Sequence, residues 1–331
     1  MLGRAGEVLR AYRAAYRNWP SVLLGLALRG RARAATRDGR VVEGDDVLLG
    51  AIARLYALGL GDRAVRSFWR AWEAERRRNE KVWVALLNEL YALRYKLRCC
   101  RLADVSDDLS YIVVNVGGRR IVLYEWGKVH FHTDINDYVF LDVKGKSVLD
   151  VGAFVGDSAI LFALMGARRV VAIESSPWAY SVAKKNIEIN GLSNVVTLVN
   201  CAVTREDGKV LMLPSTETAT GFRVSCRHRS DVGDVPVPTC TLDSLIERYG
   251  PFDVVKMDCE GCEYESIPYS RRIGEAKEIL IEYHEGYESL EKKLREEGFK
   301  NIKYLLPGEG GKLHKKPVDL QLGLIYASRQ Q

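Results

Sequence analysis

No apolar run in this chain of 331 residues approaches the length of a membrane span, for which about 20 consecutive apolar residues are needed. The best stretch, Val22-Leu23-Leu24-Gly25-Leu26-Ala27-Leu28, is short and lies between Arg17 and Arg29. No apolar segment with a small-residue cleavage site follows Arg4, so no signal peptide is read and a cytoplasmic location is expected. Cysteine is scarce: seven residues, at 99, 100, 201, 226, 240, 259 and 262, are too few and too scattered for a disulfide scaffold, and an odd count leaves one unpaired. They are expected to be small buried hydrophobes. Cys259-Glu-Gly-Cys262 has the spacing of metal ligands, but no second such pair completes a tetrahedral set, so no metal is expected there. Internal repeats and low-complexity tracts are absent as well.

What is present is a charge asymmetry. The net charge is +6, yet residues 1–103 hold 21 Lys+Arg against 10 Asp+Glu, or +11, which leaves 28 against 33, or −5, for the remainder. A basic front segment fits either an anionic partner such as RNA or simply solvated arginine faces on helices.

Residues 1–105 read as a helical, basic N-terminal domain. Apolar residues recur at helical spacing in Val8, Leu9, Tyr12 and Tyr16 and again from Val47 to Tyr56. A third helix, Val65 to Tyr95, carries Trp69, Trp72 and Trp83 around Arg76-Arg77-Arg78. These rings are expected to serve as core or as a wall of the acceptor pocket. From Tyr111 the period changes to two, and Gly117-Gly118 reads as the turn of a β-hairpin, so 106–143 form a hairpin and connector. From Lys144 to the C-terminus strands and helices alternate, which predicts a parallel, doubly wound α/β sheet. Its last two strands, near Ile302–Leu305 and Leu322–Ala327, read as an antiparallel hairpin.

The sharpest feature is Val148-Leu-Asp-Val-Gly-Ala-Phe-Val-Gly-Asp157, a strand running through glycines into a helix. Gly152 permits the tight turn and Gly156 is expected to let a ligand approach the helix N-terminus. Asp150 and Asp157 flank the turn, with Ala153 and Phe154 inside it. Two carboxylates would repel a pyrophosphate but suit a cationic ligand, which argues for S-adenosylmethionine over NAD. The next strand, Val170-Val-Ala-Ile-Glu174, ends in an acid placed to accept the ribose hydroxyls, with Ser175 beside it. The third strand ends at Asn200-Cys201-Ala202, and the backbone of Cys201 and Ala202 is expected along the adenine edge.

With these residues in hand, Lys144–Gly191, Thr241-Leu-Asp-Ser-Leu and Val255-Lys-Met-Asp-Cys-Glu-Gly-Cys-Glu263 resemble the FkbM-type methyltransferase family, in particular archaeal-like members. The resemblance runs from about Asp137 to Ala327. The family usually reads DVGANxGD at the glycine turn, where Phe154 stands for the Asn, and Glu-Pro after the second strand, where Glu174-Ser175 stands. The resemblance implies a seven-stranded class I methyltransferase fold with an antiparallel last strand, and O-methylation of a hydroxyl on sugars or polyketide- or glycan-like acceptors.

Methyl transfer is an in-line displacement on an already activated donor, so the protein must align the nucleophile and remove its proton. Asp258 ends the fourth strand, where it is expected both to touch the cofactor and to act in catalysis, with Glu260 and Glu263 just beyond it. His284, in Glu282-Tyr-His-Glu285, closes the fifth strand on the same edge and has a side chain suited to a base. The carboxylates could alternatively hold a divalent cation. His130, His132 and Asp134 are expected to line the acceptor pocket or the surface. The chain lacks Asn/Asp-Pro-Pro-Tyr after the fourth strand, which disfavours methylation of exocyclic amines, and lacks a Pro-Cys there, which disfavours a pyrimidine C5 mechanism. The expected acceptor is a small molecule or carbohydrate, with RNA as the alternative.

Overall fold

The computed structural model describes residues 4–75, 100–126, 135–215 and 233–329, together with Val84, Leu87, Asn88, Leu90, Tyr91 and Arg94. The chain divides into two compact units, Met1–Ile121 and Val122–Gln331.

The first unit contains α1 (Arg4–Ala15), α2 (Trp19–Arg29), β1 (Ala32–Ala35), β2 (Val41–Gly44), α3 (Asp46–Ala57) and α4 (Asp62–Glu75). The antiparallel pair β1–β2 corrects the all-helical reading. Alanine and arginine are strong helix formers, yet Ala32 and Ala34 are buried on one face while Arg33 points out, the period of two that a strand imposes. A second correction is β3 (Cys100–Val105), which pairs with β4 (Tyr111–Val116). β4 turns through Gly117-Gly118 into β5 (Arg119–Tyr124) as expected, and the division between the units falls within β5. Trp69 and Trp72 are buried in this unit's own core with Tyr12, Tyr16, Leu49, Ile52 and Phe68. Their burial therefore requires no second surface. Trp83 and Arg76–Arg78 lie outside the described residues, as do His130, His132 and Asp134.

The second unit is built on a seven-stranded sheet. Its strands are β6 (Ser147–Val151), β7 (Arg169–Glu174), β8 (Val196–Asn200), β12 (Val254–Met257), β13 (Glu278–Tyr283), β14 (Asn301–Leu305) and β15 (Gly323–Ser328), in the order β14-β15-β13-β12-β6-β7-β8. β8, β7, β6, β12 and β13 run parallel, and β15 enters antiparallel between β13 and β14. This is the class I methyltransferase architecture. Every residue of β6 and β12 is buried, as in a sheet covered on both faces. The crossovers include α6 (Asp157–Leu164), α7 (Pro177–Ile189) and α8 (Leu242–Tyr249). Thr241 and Ser244 cap α8 reciprocally, which fixes its first turn. After β8 the chain makes β9 (Ala202–Val203), β10 (Val210–Leu213) and β11 (Val235–Cys240), a side sheet of order β10-β11-β9.

Cysteine pairing was not foreseen. Cys201 joins Cys240 and Cys259 joins Cys262, with Cα separations of 6.1 and 5.5 Å that permit bridging. Cys100 is buried, as expected for a small hydrophobe.

Candidate functional site

The strand order reverses between β6 and β12, and such a switch point opens a crevice at the carboxyl ends of the strands. Gly152 follows β6 and Asp258 follows β12, side by side at that point. A Cβ on Gly152 would lie 1.7 Å from the Asp258 carbonyl oxygen, and its φ is +78°. Close approach of the two backbones is therefore what demands this glycine. Gly156 has a different task from the one expected: a Cβ there would meet Ala183 of α7 at 3.2 Å, so it serves helix packing and has no exposed face for a ligand. Phe154 adopts φ +45°, an uncommon conformation for a bulky residue. Asn tolerates this region better, which is the physical sense of the family's Asn at this position.

Asp150 also departs from expectation. Its side chain is fully buried, 3.1 Å from the Lys256 ammonium, and accepts a 2.7 Å hydrogen bond from the Ser158 hydroxyl. The geometry at Oδ1 makes the lysine contact an ion pair rather than an aligned hydrogen bond. Lys256, 2% exposed, also donates to the Gly152 carbonyl at 2.9 Å. Burial raises the Asp150 pKa while Lys256 pulls it back. Burial lowers that of Lys256, but the nearby Asp150 and Asp258 more than compensate, and it ends above its ordinary value. The carboxylate expected to meet a cationic ligand instead neutralises a buried lysine beneath the glycine turn. Ala153 and Ala202 likewise have no exposed surface, and Cys201, disulfide-bonded, is 4% exposed. These three residues shape the crevice from below, with little or no surface for a ligand.

Gly152, Phe154, Asp157, Ser175 and Asp258 are half-buried at the crevice, and Glu174 is 7% exposed. Both Glu174 carboxylate oxygens accept backbone hydrogen bonds, from Phe154 at 2.8 Å and Ser176 at 2.7 Å. Burial nevertheless pushes its pKa up to about 6. Each oxygen keeps lone-pair capacity for a further donor, so the acid closing β7 fits a pair of ribose hydroxyls.

Opposite stands a second constellation. The buried Glu263, on α9 (Cys262–Ser266), lies 2.9 Å from His284 Nδ1. A carboxylate can only accept, so Nδ1 carries the hydrogen and Nε2 is left as the basic nitrogen, 3.4 Å from Glu260. The Tyr264 hydroxyl accepts from the backbone N–H groups of His284 and Glu285 and donates to the Gly286 carbonyl, which fixes the turn that bears the histidine. Burial lowers the His284 pKa, but the Glu263 hydrogen bond and the charges of Glu263, Glu260 and Asp258 outweigh it, and it lies above the ordinary imidazole value. Asp258 accepts a 2.9 Å hydrogen bond from Tyr138, which lies on α5 (Asn136–Tyr138). Asp258, Glu260 and His284 each bring one ligand atom within 4.8 Å of the others, a set that could take a divalent cation. The three expected catalytic residues thus converge. Tyr138, 120 positions from its partner, was not singled out, and Glu263 was named only among the carboxylates after β12, without its contact to His284.

Residues 150–302 match the family described as the methyltransferase FkbM domain. This stretch is an FkbM methyltransferase domain. The ribosomal protein L11 methyltransferase of Phocaeicola vulgatus is 39% identical over 61 residues, 18% of this chain and 22% of that protein. Protein arginine N-methyltransferase 1 of Oryza sativa subsp. indica is 44% identical over 64 residues, 19% of this chain and 16% of that protein. The chain thus spans about a fifth of the length of these curated relatives. Among solved structures, the METTL16 MTase domain aligns with a TM-score of 0.39 and 14% identity, over 76% of this chain and 82% of that one. M. jannaschii TYW2 in complex with AdoMet aligns with a TM-score of 0.35 and 15% identity, over 66% and 84%. The cofactor of the FkbM domain is S-adenosylmethionine, and the acid at the end of β7 and the glycine turn after β6 fit it.

Proposed function

We propose that the chain methylates a hydroxyl of a small-molecule or carbohydrate acceptor, with His284 as the base. The observation that carries this reading is the Glu263–His284 pair beside Asp258 at the crevice. Gly152, Phe154, Asp157, Glu174, Ser175 and Asp258 are the residues proposed to contact the cofactor. S-adenosylmethionine supplies the activated methyl group. The protein's part is to hold the acceptor in line and take its proton at His284 Nε2, while Glu263 keeps the imidazole in the required tautomer. Tyr138 orients Asp258, and Glu260 stabilises the imidazolium that forms.

Two outcomes test this. His284→Asn should lower kcat by about 100-fold or more with little change in cofactor affinity. Asp258→Asn should lose less than that if the histidine is the base; the reverse order moves the role to Asp258. Neutral histidine is the active form, so kcat should rise with pH through a value above that of ordinary imidazole. Glu263→Gln should shift this limb downward. Loss of activity with EDTA, restored by magnesium or manganese, would instead assign the same three residues to a cation.

Glu174 makes a separate prediction. As pH falls through about 6 its carboxyl takes up a proton and loses acceptor capacity. Affinity for S-adenosylhomocysteine should therefore drop about 10-fold between about pH 7 and pH 5, and Glu174→Gln should bind weakly but without this pH dependence. The sign for folding is opposite. A raised carboxyl pKa means that the folded state holds the proton more tightly, so this group's contribution to stability declines as pH rises through that window. PH-independent binding by the native chain contradicts the ribose assignment.

A second reading, RNA methylation, is favoured only by the +11 charge of residues 1–103. It predicts salt-dependent RNA retention, weakened when Arg76, Arg77 and Arg78 are neutralised. No RNA binding at low salt removes it.

A further inference from the structure

The connection between β14 and β15 is held at many points, yet it displays apolar side chains. The backbone N–H groups of Gly308, Gly310 and Gly311 donate to the buried Asp137 carboxylate. His314 and Tyr304 exchange backbone hydrogen bonds at 2.7 and 2.9 Å. The Tyr283 hydroxyl donates to the Asp319 carbonyl, and the Gly286 N–H donates to the Gln321 carbonyl. The Asp319 carboxylate accepts from the N–H groups of Gln321 and Leu322.

On this fixed backbone Leu313, Val318, Leu320 and Leu322 are 43, 51, 57 and 44% exposed. Lys312, Lys315 and Lys316 are exposed among them. An ordered loop that keeps four aliphatic side chains in water within ten residues presents an unpartnered apolar patch. The three lysines outnumber the loop's two acids, Glu309, which pairs with His314, and Asp319.

We infer that this loop docks on an anionic phospholipid bilayer. Aliphatic side chains enter the boundary between headgroups and acyl chains, while interleaved lysines engage the anionic headgroups. Single-stranded nucleic acid would call for aromatic stacking platforms, and residues 312–322 contain no Phe, Tyr or Trp. The loop is hydrogen-bonded to the Tyr283–Gly286 turn that carries His284, so docking brings the carboxyl edge of the sheet to the lipid surface. The docking itself does not depend on the proposed reaction.

The test is co-sedimentation of the full chain with vesicles of phosphatidylcholine alone and of phosphatidylcholine mixed with phosphatidylglycerol. Binding is expected only to the anionic vesicles and should fall at high salt. Lys315→Gln with Lys316→Gln should weaken it by about 25-fold, or 5-fold per lysine. Leu320→Asp with Leu322→Asp should abolish it, while S-adenosylhomocysteine affinity, read in parallel, stays at the native level as proof of folding. No binding to anionic vesicles at low salt would overturn the inference. So would binding that both double variants retain, since the basic front segment would then be responsible. RNA binding lost in the lysine variants, without vesicle binding, would overturn it as well.

Discussion

Replacing Gly152 by alanine should cost about 3 kcal/mol or more of stability and abolish cofactor binding. The two effects share one cause. The new Cβ would lie 1.7 Å from the Asp258 carbonyl oxygen, and alanine at φ +78° is strained even in open space. Neither backbone can retreat easily, because Gly152 N–H donates to the Ile173 carbonyl and Asp258 N–H to the Val151 carbonyl. Chemical denaturation and calorimetry with S-adenosylhomocysteine read the two effects separately. Gly156→Ala is a useful contrast: its Cβ would meet Ala183 at 3.2 Å, again at positive φ, so it should lose stability while a folded variant keeps its cofactor affinity. Native stability in Gly152→Ala would mean that β6 and β12 do not end in this contact.

A comparable loss is expected at Lys256. Lys256→Met leaves the fully buried Asp150 without its counter-charge, and breaking such a pair from one side costs about 3–5 kcal/mol. Replacing both partners, Asp150→Leu with Lys256→Met, should recover much of that loss, because the uncompensated charge is gone. The same double variant should bind cofactor less well than the native chain, since the Lys256 ammonium also holds the Gly152 carbonyl. A single variant as stable as the native chain would show that the pair is not buried in the way described.

These two positions also show how far the sequence could be read. The glycine turn, the acid closing β7 and the carboxylates after β12 were visible because each lies at the end of an apolar run, where a parallel sheet places its ligand-facing groups. Invisible was which acids face inward: Asp150 and Asp157 flank the same turn, and only the three-dimensional position of Lys256 shows that Asp150 is neutralised within the protein. Gly156 looked like a ligand-facing glycine because its contact, Ala183, is 27 positions away in a helix of no special composition. β1 was missed because short runs of alanine and arginine carry helix propensity that pairing with β2 overrides. The disulfides depend on Cα distances that spacing alone does not give, even for Cys259 and Cys262.

Hydroxyl methylation is tested most directly with methyl-labelled S-adenosylmethionine added to a host extract containing the native chain or His284→Asn. The account predicts that label enters a small molecule or carbohydrate in an alkali-stable methyl ether, and that the variant transfers about 100-fold less or below. Label recovered on a protein nitrogen or an RNA base, at equal rates with both proteins, would contradict it.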